Sequence, residues 1–204
     1  MENKSFKELN LSAQIGNPQA QFELAEKYVE GCGIFNLKNY KKALIWYQAA
    51  AEQGHVKAQV RLGEMFFNGK GVPIDCDQAY KWYKVAADQG YSGGFNNLAT
   101  FYIGGLVVER NYEEGIRCFK KAALLGSSAA CGMLALLYEN PNVGAPDYEE
   151  SYFWNVLYMT GRSGVKESQS YNESIEQNLS SEQRTIIETK AAAWLQEHSI
   201  FIEE

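Results

Sequence analysis

The chain has 204 residues, 46% of them hydrophobic, and a formal net charge of −6. That apolar content is globular rather than disordered, and the acidity argues against nucleic acid, which selects basic faces. No apolar stretch approaches the roughly 20 residues of a membrane span. The opening MENKSFKELN is polar and lacks the apolar core of a secretory signal. Residues 1–17 read as an N-terminal capping helix, because FKELNLSAQIGN can be laid over the later WYQAAAEQGH with Gly16 at the place of Gly54.

From residue 18 a phrase recurs. Leu24, Leu62, Leu98 and Leu134 are spaced by 38, 36 and 36 residues. Each is followed at once by a small residue (Ala25, Gly63, Ala99, Ala135) and four residues on by an aromatic (Tyr28, Phe66, Tyr102, Tyr138). Another small residue, Ala20, Ala58, Gly94 or Ala130, precedes each leucine by four. A second half repeats as well: the small column Ala43, Ala79, Gly115, Ser151 is followed by Trp46, Trp82, Cys118, Trp154 and then by Tyr47, Tyr83, Phe119, Asn155. Ala58, Leu62 and Phe66 fall at i, i+4 and i+8, and Ala79, Trp82, Tyr83, Ala86 and Ala87 trace an amphipathic helical stripe.

Gly31, Gly69 and Gly105 stand where the first helices should end. Asn39, Asp75, Asn111 and Asp147 open the second helices, three of them with Gln78, Glu114 or Glu150 at capping-box spacing. A fixed period of this length predicts an array of helix hairpins, each unable to bury its apolar face without its neighbour. The boundaries are repeat one 18–55, repeat two 56–91, repeat three 92–127 and repeat four 128–162. Residues 163–179 are polar and unpatterned and read as a loop. Residues 180–204 read as a C-terminal capping helix, with Ser180 and Gln183 at capping-box spacing and Ile187, Ala191, Trp194 and Leu195 on one stripe.

Catalytic and metal chemistry find little support. The two histidines, His55 and His198, belong to no HExxH, and no CxxC is present. His55 follows the closing glycine of repeat one and reads as a turn residue. Cys32, Cys76, Cys118 and Cys131 fall one per repeat at non-equivalent places, so no pair staples a single repeat, and with no signal peptide they read as free thiols of a cytoplasmic protein. Gly69-Lys70-Gly71, Ser92-Gly93-Gly94 and Gly104-Gly105 do not follow strands, as a phosphate loop would require. Gly161-Arg162-Ser163-Gly164 lacks the GxSxG of a nucleophile elbow. Asp75/Asp77 and Glu113/Glu114 sit at helix starts, where they favour the positive end of the dipole. We therefore expect no enzyme, no cofactor and no metal.

The columns resemble the Sel1-like repeat family, a branch of the tetratricopeptide-type α/α solenoids. Repeat two carries the resemblance most closely, through Ala58, Leu62, Gly63, Gly69, Gly71, Val72, Asp75, Ala79, Trp82, Tyr83, Ala86, Ala87 and Gly90; repeat three departs with Val107 and Cys118, and repeat four with Pro141 and Asn155. The resemblance implies an all-α, right-handed α/α superhelical solenoid of four helix-hairpin repeats with helical caps, and a non-enzymatic adaptor or scaffold that binds proteins. In such solenoids the first helix of each hairpin lines the concave side. By register that face would present Phe22, Glu26, Val29 and Glu30, then Lys57, Val60, Glu64, Phe67 and Asn68, then Asn96, Thr100 and Ile103, then Leu136 and Glu139.

An apolar floor with an acidic rim, against Lys57 as the one cation of that register, suits a peptide or protein with apolar anchors and basic flanks. The competing explanation is that these apolar residues pack on the preceding repeat. Two other functions compete. A small acidic solenoid also suits an immunity protein or antitoxin that neutralises a bacterial toxin, since acidity complements basic clefts. A cysteine-rich branch of the family has been linked to β-lactam binding or hydrolysis, but it uses a disulfide in each repeat, which the single cysteines here do not match.

Overall fold

The computed structural model describes residues 6–31, 37–160, 174 and 177–198. Ten helices and no β-strand lie among them: α1 Phe6–Gln14, α2 Pro18–Glu30, α3 Tyr40–Glu52, α4 Val56–Asn68, α5 Cys76–Asp88, α6 Ser92–Gly104, α7 Tyr112–Leu124, α8 Ser128–Glu139, α9 Tyr148–Thr160 and α10 Ser181–His198. Cys32, the Gly161–Gly164 tetrapeptide and most of the loop expected at 163–179 lie outside the described residues.

Most of the helices start at a side chain that accepts an otherwise unpaired backbone N–H. Asn17 caps α2 through Ala20 N (2.9 Å), Asn39 caps α3 through Lys42 N (3.0 Å) and Asp75 caps α5 through Gln78 N (2.9 Å). Asn111, Ser127 and Asp147 do the same for α7, α8 and α9, accepting from Glu114 N, Ala130 N and Glu150 N. At Ser180 the box is reciprocal, with Ser180 N donating to Gln183 Oε1 (2.9 Å) and Gln183 N to Ser180 Oγ (3.2 Å).

A second device recurs in every hairpin. The N–H of the cap residue donates to the carbonyl of the column aromatic: Asn39 to Tyr28, Asp75 to Phe66, Asn111 to Tyr102 and Asp147 to Tyr138, at 2.8 to 3.0 Å. Repeat one keeps this bond although its loop is two residues longer. Between repeats, the chain turns on glycine in the left-handed region, which glycine enters without steric cost. Gly54, Gly90 and Gly126 have φ of 86°, 77° and 86°, and Gly16 matches them at 95°. Asn17 N donates to Ser12 O just as His55 N donates to Ala50 O, so the first helix ends in the turn of a second helix of a repeat.

The chain forms two compact units, residues 1–98 with 106–108 and residues 99–105 with 109–204. In the first, α1 packs on α2, α2 on α3, α3 on α4 and α4 on α5. Its core is the column set of the sequence: Leu24, Leu62, Ala43, Ala58, Ala79, Tyr47 and Tyr83 are each no more than 2% exposed. Burying each large side chain stabilises by roughly 1.5–3 kcal/mol. Small residues let the helices come this close: a Cβ at Gly63 would lie 2.6 Å from the Tyr83 ring.

Two buried glutamines, unremarked in the sequence, stitch the first unit across repeats. Gln21 Nε2 donates to Ala13 O (3.2 Å) and its Oε1 accepts from Gln53 (2.7 Å). Gln59 repeats the arrangement with Ala51 O (3.2 Å) and Gln89 (2.8 Å). A buried amide needs such partners to offset its desolvation.

In the second unit α7 packs on α8, α8 on α9 and α9 on α10. Leu134, Leu157, Phe119 and Ala130 form its core. α10 packs on α9: Ile187 and Ala191 are buried, and the Trp194 ring meets Trp154 edge-on at 5.9 Å.

Candidate partner-binding face

On the first unit, the outward sides of α2 and α4 and the start of α6 carry two adjoining open depressions. One, of about 190 Å³, is lined by Glu26, Val29, Tyr40, Tyr47, Arg61, Glu64, Met65 and Lys70. The other, of about 330 Å³, is lined by Phe22, Lys57, Val60, Arg61, Glu64, Tyr91, Gly93, Asn96 and Asn97. Arg61 and Glu64 belong to both. Such open, partly polar hollows suit side chains of a protein better than an enclosed small molecule, which favours deep apolar pockets.

Arg61 organises the face. Its Nε donates to Glu26 Oε1 (3.1 Å) and its Nη1 to Glu64 Oε2 (3.0 Å), so one guanidinium bridges α2 and α4. The Tyr47 hydroxyl donates to the same Glu26 oxygen. Burial, and then the bond to Glu26, push the Tyr47 phenol well above its ordinary value, so it stays a donor. Arg61 is 48% exposed, and ion pairs at that exposure contribute at most about 1 kcal/mol. Their consequence is positional: four side chains from three helices are held in one arrangement.

The structure brings Phe22, Lys57, Val60, Glu64 and Asn96 of the sequence-derived face together in the larger depression, and Glu26, Val29 and Glu64 in the smaller. Val60, at 7% exposure, is floor rather than contact surface. Glu30 lines neither depression and pairs with Lys27 (3.1 Å). Phe67 and Asn68 are exposed on α4 but also line neither; Asn68 Nδ2 donates to Glu64 O. Thr100, Ile103, Leu136 and Glu139 belong to the second unit. There Ile103 fills the space a Cβ at Gly115 would need, Glu139 accepts from Ser151 Oγ (2.7 Å), and Leu136 is 64% exposed.

Arg61, Tyr40, Tyr47, Met65, Lys70, Tyr91 and Asn97 line the depressions and were missed by the register. With Arg61 and Lys70 beside Lys57, the two depressions hold three cations against the carboxylates of Glu26 and Glu64 and are not simply acidic. A glutamate three residues beyond an arginine on one helix was the available signal for Arg61–Glu64. Nothing local points to Glu26, thirty-five residues away.

Elsewhere the side chains read as structure. Cys118 and Cys131 are buried free thiols; burial raises both, Cys131 to about 12, which opposes thiolate chemistry. Among the described residues no group of three or more His, Cys, Asp or Glu is placed to hold a metal ion, and no helix is long and apolar enough to cross a membrane.

The family model of the Sel1 repeat matches residues 18–55, 56–91, 96–127 and 128–154. Among solved structures, a protective antigen of uropathogenic Escherichia coli displaying an SLR fold is similar at 26% identity and TM-score 0.78, over 94% of this chain and 43% of that one. The chain thus spans less than half the length of that antigen. A Sel1 repeat protein from Oxalobacter formigenes is similar at 27% identity and TM-score 0.67, over 85% of this chain and 78% of its own. The immunity protein Pa5087 from Pseudomonas aeruginosa aligns over 76% of this chain and 72% of its own at 19% identity and TM-score 0.45. No curated protein matches the chain. The fold is thus the all-α helix-hairpin solenoid that the repeat columns imply.

Proposed function

We propose, from the premise that this chain belongs to the Sel1 repeat family, that it is a protein-interaction module whose partner docks on the α2–α4–α6 face of the first unit. Sel1 repeat proteins are generally non-enzymatic scaffolds. The observation that carries the reading is the pair of adjoining depressions that share Arg61 and Glu64. Phe22 supplies an apolar contact, Val60 a dry floor, and Lys57, Asn96 and Asn97 polar groups around them. Arg61 is pinned by two carboxylates before any partner arrives, which lowers the ordering cost of binding.

A partner that fits presents an apolar anchor for the larger depression with charges of both signs beside it. Photo-crosslinkers placed at Lys57 and Asn97 in the native cell test this. The reading expects one shared protein adduct from both positions and none from Lys81, an exposed residue of α5. Adducts of equal yield from all three positions would remove the proposed face.

A further inference from the structure

In the column of residues that open the first helices, Asn17 and Ser127 cap with oxygens that do not titrate near neutrality. His55 stands in the same place before α4, and its ring is held on three sides. Nδ1 accepts from Ala58 N at 3.2 Å, Nε2 lies 2.9 Å from Gln19 Oε1 on α2, and the ring stacks on Phe22 with centroids 4.7 Å apart and planes at 21°. An acceptor at Nδ1 and a donor at Nε2 require the neutral Nε2–H tautomer.

We infer that His55 is a pH-sensitive cap: neutral, it closes α4 and ties it to α2; protonated, it releases the α4 terminus. The mechanism is local. Nδ1 has one lone pair, and a proton placed there points at the Ala58 N–H, so the cap bond is lost. The cation would also sit at the positive end of the α4 dipole. Few charges oppose this. Glu23 of α2 favours the cation, Lys57 of α4 disfavours it, and Glu52 at the end of α3 accepts from Gln48 (2.9 Å). Burial, the largest influence, holds the ring below the ordinary histidine value.

The sign follows. The folded chain binds this proton less readily than the unfolded chain, so the cap's contribution is complete above pH 6.5 and is lost as pH falls through the depressed folded value. His55→Asn keeps a strong cap that does not titrate, and His55→Ala removes the cap at every pH.

The test is thermal unfolding of the full chain and both variants between pH 7.5 and 5.5, with the ring followed by NMR in a His198→Gln background. Near neutrality the wild type should melt with His55→Asn and above His55→Ala by roughly 2–4 °C, the effect of one cap in a chain of this size. Toward pH 5.5 it should fall to the His55→Ala curve, and the ring should titrate below 6.5 from the Nε2–H tautomer. Three parallel melting curves would overturn the inference, as would a ring that titrates at or above 6.5 or carries its neutral proton on Nδ1.

Discussion

Replacing Gly94 with alanine tests the packing logic of the repeat at its tightest point. Gly94 holds the column that is alanine at 20, 58 and 130, so the substitution restores the residue of the other three copies. Helix propensity alone would favour it by about 1 kcal/mol. The structure says otherwise. A Cβ there would overlap Ala87 N and lie 2.8 Å from the Ala86 carbonyl carbon and 2.9 Å from Ala87 Cα, all backbone of α5. Backbone cannot rotate away as a side chain can, so α5 and the start of α6 must separate. Overpacking of this kind costs typically 1–3 kcal/mol. Overlap with three backbone atoms puts this site in the upper half of that range, about 2–3 kcal/mol, so after the propensity gain the net loss is about 1–2 kcal/mol, a fall in Tm of roughly 2–8 °C for a chain of this size. Circular dichroism melting would measure it, with Gly144→Ala as control, since nothing lies within 4 Å of a Cβ at that position. A Gly94→Ala variant that melts at or above the wild type would refute the reasoning.

Other positions give sharper contrasts. Val107 occupies the column held by Gly71 in repeat two and keeps its left-handed backbone, φ 65° against 78°. A β-branched residue is strained there by about 1–2 kcal/mol, so Val107→Gly should raise the urea midpoint or leave it unchanged; a clear fall would contradict the strain. Gln59→Leu keeps the volume but removes the bridge to Ala51 O and Gln89, and should cost about 1–2 kcal/mol in urea unfolding, whereas a stability gain would show the bridge to be dispensable. In a Cys32→Ser background at pH 8, an alkylating reagent should label half-buried Cys76 well before Cys118 and Cys131, read by peptide mass spectrometry; early labelling of Cys131 would contradict its burial.

The fold was readable because its determinants are local or columnar. Leu24, Leu62, Leu98 and Leu134 recur because each repeat offers the next the same surface, and Asn39, Asp75, Asn111 and Asp147 recur because each second helix starts with the same unpaired N–H groups. The face was half readable. Register placed Phe22, Glu26, Lys57, Val60 and Glu64 on it, since helical spacing decides which side a residue takes. It could not rank Phe67 below Tyr91, because lining a hollow depends on the neighbouring repeat. Arg61 escaped because its role is set by Glu26 on another helix, and the glutamine stitches escaped because Phe95 and Cys131 replace Gln21 and Gln59 in repeats three and four. His55 reads as a turn residue in the sequence because the groups that fix its ring, Gln19 and Phe22, lie on another helix.

The most direct test of the account is the dissociation constant of the crosslinked partner, measured by calorimetry against three forms of the chain. Lys57→Glu combined with Tyr91→Ala alters the larger depression, and Lys81→Glu alters the exposed face of α5. The account expects the first to weaken binding at least about tenfold, about 1.4 kcal/mol, and the second to leave it at the wild-type value. Equal affinity for all three forms would contradict it.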